Sequence, residues 1–388
     1  MHILAAFDKF KDSMSAQTAC EVALSGVAKA LSEPIELSHA PLTDGGEGFC
    51  SILTSAAAGK METHTVSGPL GETVEAPIGW IQLEDLSTAA KAILAKSRGR
   101  LAIIEMASVA GLEQVPKAKR NPNNCSSYGV GELIKIASYE GASAILLGIG
   151  GSATSDLGIG ALEALGLRFG KRSRSTPAQW SEIEFITGKI ELEYPPILIA
   201  CDVDNPLLGK QGAAYVYGPQ KGLADHELAA FDLQAARLAS MICNYFNQSQ
   251  ALKNSPGSGA AGGIGFGLKA ALNAKFVAGF ELVYTWLDLG EKVAKADLVL
   301  TGEGKFDSSS LSGKGPFALA SAAHAANKPC ILLAGKVDSG AARKLGDQFP
   351  LCRSYSITPE DCPLPKALAQ APENLQRATI RALLNRVR

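Results

Sequence analysis

The chain contains no Cys-x-x-Cys pair. Its eight cysteines, Cys20, Cys50, Cys125, Cys201, Cys243, Cys330, Cys352 and Cys362, stand singly. Isolated thiols in apolar segments behave as small hydrophobes, and a chain this long and apolar needs no disulfide framework, which points to a reducing compartment. The five histidines show no metal-ligand spacing and no H-E-x-x-H. Three dispersed tryptophans make no stacking platform for nucleic acid. Charge of one sign is also missing: Lys plus Arg number 37 against 38 for Asp plus Glu. With no long run of like charge, there is no basic field to gather nucleic acid. No apolar run approaches the ~20 residues that span a bilayer. The segment Met1–Asp8 lacks a basic n-region and a long h-region, so it reads as a first strand. A soluble cytoplasmic protein with no membrane partner is expected. The absence of G-x-x-x-x-G-K-[ST] excludes a Walker-type nucleotide site, and the absence of G-x-S-x-G disfavours a serine hydrolase.

Glycine, by contrast, is plentiful. Forty glycines gather in a few short clusters, a pattern that suits backbone folded closely around ligands. At 388 residues the chain suggests two domains. Short apolar runs lead repeatedly through Gly/Ser/Asp loops into helix-period segments. His2–Phe7 precedes a helix over Ala16–Leu31 with Ser15 as its N-cap, and Ala144–Ile149 precedes one near Gly158–Leu165. Asp297–Thr301 leads to Gly315–Ala326, followed by a buried strand Cys330–Ala334. This alternation predicts a parallel α/β sheet with ligands at the carboxyl ends of its strands. From Met61 to Leu83 the period changes to alternation around Ser67-Gly68-Pro69-Leu70-Gly71, which predicts an antiparallel hairpin. The expected architecture is therefore two α/β domains. Residues 1–65 and 281–388 would form a discontinuous flavodoxin-like (Rossmann-like) parallel-sheet domain, and 66–280 an inserted mixed α/β domain.

Five loops carry candidate chemistry. Asp8–Ser13 places Lys9, Lys11 and Ser13 ahead of a capped helix, where ammonium groups and free N–H groups favour anions; a solvated charged loop is the equally weighted alternative. Thr43–Gly48 sets Asp44 beside two glycines. Gly148–Asp156 follows a wholly apolar strand and brings Ser152, Thr154 and Asp156 to the sheet edge. It also matches a loose G-x-G-x-x-A, but Lys171, Arg172 and Arg174 stand where a ribose-binding acid belongs. A second loose match, at Gly257, Gly259, Gly262 and Gly263, reads as an approach loop suited to phosphate. Ala200–Leu207 ends a buried strand at Asp202 and Asp204, whose i, i+2 spacing suits Mg²⁺ or a general base if the segment stays extended. Lys221 follows nearby. Thr301–Ser310 mixes Glu303, Lys305 and Asp307, and Pro316 is placed to open a helix.

Taken together these pieces resemble the bacterial glycerate kinase family, the branch of the glyoxylate and galactarate pathways. The resemblance rests on Phe7–Ser13, Thr43–Gly48, Gly68–Gly71, Arg120-Asn121-Pro122, Tyr128–Glu132, Gly148–Asp156, Ala200–Leu207, Gly218–Gly222, Pro256–Gly267 and Thr301–Pro316. They occur in the family's order and cover the chain to about Gly335. The sequence departs from the family pattern at Ser155, Leu157, Phe306, Ser308 and Gly315, and in the basic segment Lys171–Pro177.

The resemblance implies transfer of phosphate from MgATP to D-glycerate, giving 2-phosphoglycerate, on two α/β domains with the active site in the cleft between them. On the chemistry of phosphoryl transfer, Asp202, Lys9 and Asp307 are the catalytic candidates. Asp44, Ser152, Thr154, Asp156 and Lys221 are candidates for the hydroxy acid. Lys11, Ser13, Gly257, Gly259, Gly262, Gly263, Glu303 and Lys305 are candidates for the nucleotide phosphates, and Asp202 and Asp204 for Mg²⁺. The expected partner is a small molecule; a homodimer is left open. Three other readings compete: a kinase of another short sugar acid, an NADP-dependent dehydrogenase using the Gly148–Ala153 loop, and a non-catalytic sugar-acid sensor.

Overall fold

The computed structural model describes residues 1–171, 174–312 and 315–387. Arg172, and Gly313 and Lys314 of the Thr301–Pro316 motif, lie outside the described residues. The chain forms two compact units, 1–44 with 283–388, and 45–282.

In the first unit five strands, all parallel, run in the order Glu36–His39, His2–Phe7, Leu298–Gly302, Cys330–Ala334, Cys352–Ser356. Counted along the chain this is 2-1-3-4-5, the flavodoxin-like order. Ile3 through Phe7 and Leu298 through Leu300 are all fully buried, as continuous apolar strands covered on both faces must be. The helix Ala16–Ala30 starts where the sequence reading puts it, with Ser15 Oγ accepting from Thr18 N at 3.1 Å. Its apolar face (Ala19, Cys20, Ala23, Val27) packs with Leu375, Ala378 and Ala382 of the helix Ala371–Val387 over the sheet.

The second unit is built on a mixed six-stranded sheet in the order Lys275–Val277, Ile197–Ala200, Ala144–Gly148, Arg100–Glu105, Thr73–Gln82, Lys60–Ser67. The first four strands pair in parallel; the last two form the antiparallel hairpin expected around Gly68-Pro69-Leu70-Gly71, with Ser67 opposite Thr73. Residues 45–65, which the sequence reading joined to the first unit, pack here instead. The physical reason is that Lys60–Ser67 is one arm of the hairpin, while the helix Phe49–Ala56 lies against the adjoining sheet, with Cys50 N donating to Glu105 at 3.0 Å. All eight cysteines are free thiols. Among the described residues, no helix is long and apolar enough to cross a membrane.

Two helices of this unit pack closely. On the helix Tyr128–Tyr139, a Cβ at Gly131 would lie 2.3 Å from Ala161 O and 2.8 Å from the Ala164 side chain of the helix Ile159–Ala164. Gly131→Ala is expected to lose stability, by roughly 1–3 kcal/mol as overpacking generally costs, measured by denaturant unfolding. A neutral variant would show that the two helices separate freely.

Candidate active site

Because the first unit's strands are parallel, their carboxyl ends share one edge, and ligands bind where the strand order reverses. That reversal lies between His2–Phe7 and Leu298–Gly302. Phe7 is in register with Gly302, and Asp8 N donates to Gly302 O at 2.9 Å. Asp8 and Glu303, the residues immediately after the two strands, therefore emerge side by side. The loops that follow all five strands line a cavity of about 1000 Å³. Lys9, Lys11, Ser13, Asp44, Glu303 and Lys305, nominated from the sequence, all line it, and Asp8, Lys336, Thr358, Glu360 and Asp361 join them.

Burial and neighbouring negative charge raise two of the cavity's carboxylates. Burial, then the Asp44 carboxylate and more weakly Glu303, push Asp8 up to about 7, although Lys9 opposes them. Burial, then Asp307 and Asp44, push Glu303 up to about 7 against a hydrogen bond from the Ser310 hydroxyl. Glu303 Oε1 is buried and finds no hydrogen-bond partner among the described residues. Hard oxygen donors that repel one another, one of them unpartnered, suit a divalent cation of the Mg²⁺ type. Among the described residues Asp8, Asp44 and Glu303 do not bring three ligand atoms within 4.8 Å of one another. Such an ion would therefore take one or two of these carboxylates and complete its shell from phosphate and water, which is the habit of Mg²⁺.

Two nominated residues of this unit have structural duties. Asp307 is held well below the usual carboxylate range by hydrogen bonds from Lys305 Nζ, at 2.7 Å, and from the Ser309 hydroxyl and N–H. A carboxylate so stabilised is a poor base; it fixes Lys305 instead. Ser13 Oγ donates to Leu368 O at 2.8 Å and ties the first loop to the helix Leu364–Ala369.

The second unit gathers its own loops at the carboxyl edge of its parallel strands. Gly150 N donates to Gly45 O at 2.9 Å, and Leu157 N to Gly262 O at 3.0 Å. Gly262 has φ +71°, and a Cβ there would sit 2.2 Å from Thr154 O. Gly259 N donates to Asn205 O, while Gly257 and Gly263 flank the same packed turn. The glycine-rich loop expected to wrap phosphate is thus buried against the Thr154–Leu157 and Asn205–Leu207 backbone.

Two buried charges brace these loops. Lys221, 2% exposed, donates from Nζ to Ser152 Oγ at 2.9 Å and to Thr154 O at 2.6 Å; burial pulls its pKa down to about 8, with Asp156 opposing. Asp156, expected to reach a ligand, is fully buried. Its carboxylate accepts from Ser127 N and Oγ, Gly160 N and Gly158 N at 2.8–3.2 Å. Placed just before a helix, it anchors that helix and is enclosed away from solvent. Beside it, Thr154 Oγ1 and Ser155 Oγ are buried without a hydrogen-bond partner among the described residues. Asp202 accepts at both oxygens from Phe280 N, at 3.1 and 2.9 Å, in the first turn of the helix Gly279–Trp286, whereas Asp204 is exposed. Among the described residues neither belongs to a three-ligand group. Among the described residues the group that meets that distance is Glu62, His64 and Glu140, where Arg100 already pairs with Glu62 at 3.5 Å.

The raised acids set a pH dependence. Their folded-state values lie above their unfolded ones, so in metal-free buffer the stability they allow is fully present below about pH 4. It is lost as pH rises through their folded value of about 7. Asp8→Asn removes one share of that loss, so its melting temperature relative to the parent should be higher at pH 8 than at pH 4.5. A difference independent of pH would contradict the burial of this charge.

Known proteins resemble the chain over nearly its whole length. Residues 3–385 match the model of the family described as "Glycerate kinase family". The glycerate kinase of Halalkalibacterium halodurans is 36% identical over 383 residues, covering 97% of this chain and 96% of that one. The glycerate 2-kinase of Escherichia coli K12 is 35% identical over 98% of this chain and 96% of its own. A crystal structure described as glycerate kinase 2 from Salmonella typhimurium LT2 superposes with a TM-score of 0.71 at 34% identity, covering 99% of this chain and 98% of that one. The chain belongs to the glycerate kinase family.

Proposed function

We propose that the protein transfers the terminal phosphoryl group of ATP to the 2-hydroxyl of D-glycerate with Mg²⁺, in the cytoplasm. The observation that carries this reading is the cavity at the strand-order reversal of the first unit. Lysines and crowded carboxylates meet there at the edge where α/β sheets bind ligands. In the reaction the glycerate oxygen forms a new bond to phosphorus as the bond from phosphorus to the ADP oxygen breaks, and the hydroxyl proton passes to a base. Such transfer needs charge neutralisation and alignment more than covalent help.

Lys9, Lys11 and Lys305 are suited to the phosphate charge; Lys305 is steered by Asp307. One or two of Asp8, Asp44 and Glu303 would hold the Mg²⁺, which when bound would screen the phosphate oxygens and the repulsion among these acids. In the second unit Ser152, Thr154 and Lys221 form a polar cluster suited to the hydroxy acid, with the unpartnered Thr154 Oγ1 as a donor in reserve. Asp202 stands at a strand's carboxyl end and is the candidate to meet the hydroxyl proton. The Asn205, Pro206 and Gly257–Gly263 backbone supports that edge. The E. coli relative bears the name glycerate 2-kinase, which favours the 2-position.

Incubation with ATP, Mg²⁺ and D-glycerate, with the product read by phosphorus NMR, should yield ADP and 2-phosphoglycerate. Formation of 3-phosphoglycerate would overturn the position, and absence of turnover would overturn the donor or the acceptor. Asp202→Asn keeps an oxygen to accept from Phe280 N but removes the charge. It should lower kcat at least about a hundredfold, the lower end of what loss of a positioned base costs, and near-normal turnover would remove Asp202 from this role.

A further inference from the structure

We infer that the first unit binds the whole nucleoside triphosphate, and that the base lies against an apolar wall made by the C-terminal segment, with Val337, Pro359, Leu364 and Leu368 as its contacts. This rests on the reading of ATP as phosphoryl donor. It names a subsite outside every motif that pointed to the family, since those end near Gly335.

Size is the first argument. A cavity of about 1000 Å³ stands at the upper end of the roughly 300–1,000 Å³ typical of cofactor-sized ligands. A three-carbon hydroxy acid would leave most of it to water. Charge is the second. Four lysines (Lys9, Lys11, Lys305, Lys336) face six acids (Asp8, Asp12, Asp44, Glu303, Glu360, Asp361) around it. A bare polyanion is disfavoured there, whereas a triphosphate carrying a divalent cation satisfies both sets.

Strand order supplies the third. Two steps along the sheet separate Leu298–Gly302 from Cys352–Ser356. At about 4.8 Å per step, the loop after the latter begins roughly 10 Å from Glu303. That is the reach from a polyphosphate across a ribose to a base. Val337 N donates to Ser356 Oγ at 3.0 Å and Thr358 N to Gly335 O at 3.3 Å, which fixes this loop to its neighbour. The bond from Ser13 Oγ to Leu368 O then brings the helix Leu364–Ala369 back to the phosphate-side loop. Leu364 lines the cavity yet is 69% exposed, an apolar side chain at the mouth with little of the protein over it. A planar base is the part of the nucleotide whose chemistry fits such a wall.

The test uses the full-length protein with two variants. Leu364→Asp alters an exposed side chain and should leave the fold intact; Leu368→Trp fills the wall. Both are checked by thermal unfolding, then by titration calorimetry with Mg·ATP and by steady-state kinetics. The expected result is weaker Mg·ATP binding and a KM for ATP raised at least tenfold, with the KM for D-glycerate changed less than twofold. A raised KM for D-glycerate with unchanged Mg·ATP binding would overturn the inference and make this the acceptor's cavity. Unchanged values in both variants would overturn it too. If the parent binds Mg·ATP but phosphorylates no glycerate, the loss of binding in the variants still supports the subsite, while the donor–acceptor reading alone fails.

Discussion

The register between His2–Phe7 and Leu298–Gly302 is the constraint on which the first unit's chemistry depends. Once Phe7 is opposite Gly302 and Asp8 N is bonded to Gly302 O, the next residue on each strand has nowhere to go but the sheet edge. Asp8 and Glu303 are then forced together in a partly buried place, and Asp44 adds a third negative charge. A slip of one residue would turn one strand's side chains over and dissolve the cluster. The fold tolerates this repulsion because the strands beneath are almost wholly apolar and buried on both faces. A bound cation and polyphosphate would relieve it. Crowded acids that are costly in the empty protein and useful in the loaded one are what a binding site for a charged cofactor requires.

The second unit solves a different problem: holding long polar loops still. Its means are two buried charges and several close backbone approaches. Asp156 satisfies four donors from two segments of chain at once, and Lys221 ties Ser152 to the Thr154 carbonyl. Removing either would strand buried polar groups, each costing about 1–3 kcal/mol. Positioning of this kind is a precondition for phosphoryl transfer, where alignment supplies most of the rate.

Much of this was legible in the residues. Apolar runs ending in Gly/Asp loops marked the parallel strands, Ser15 marked a helix start, and the change to alternation at Met61–Leu83 marked the hairpin. The lysines and acids of the first and last loops were visible because polar residues directly after buried strands have few other uses. Asp8 stood in the same motif but was passed over as a site residue; only the strand order shows it adjacent to Glu303. Asp156 was read as a ligand contact for a related reason, whereas it is fully buried. Sequence shows that a charge is near a loop, but whether it faces a ligand or is enclosed by Ser127, Gly158 and Gly160 is decided by tertiary packing. The segment after Ser356 carries no glycine cluster and no motif, so its place on the cavity wall depends on topology alone. The break after Asp44 was likewise hidden, because the helix Phe49–Ala56 continues the α/β alternation while packing in the other unit.

The most direct test of the central claim is hydrogen–deuterium exchange with and without Mg²⁺ and a non-hydrolysable ATP analogue. If the first unit's sheet edge takes the nucleotide, protection should appear in Asp8–Ser13, Glu303–Lys305 and Ser356–Leu368, and be weaker over Gly257–Gly263. Protection confined to Gly148–Asp156 and Gly257–Gly263, with Asp8–Ser13 and Ser356–Leu368 unchanged, would contradict it and move the nucleotide to the second unit.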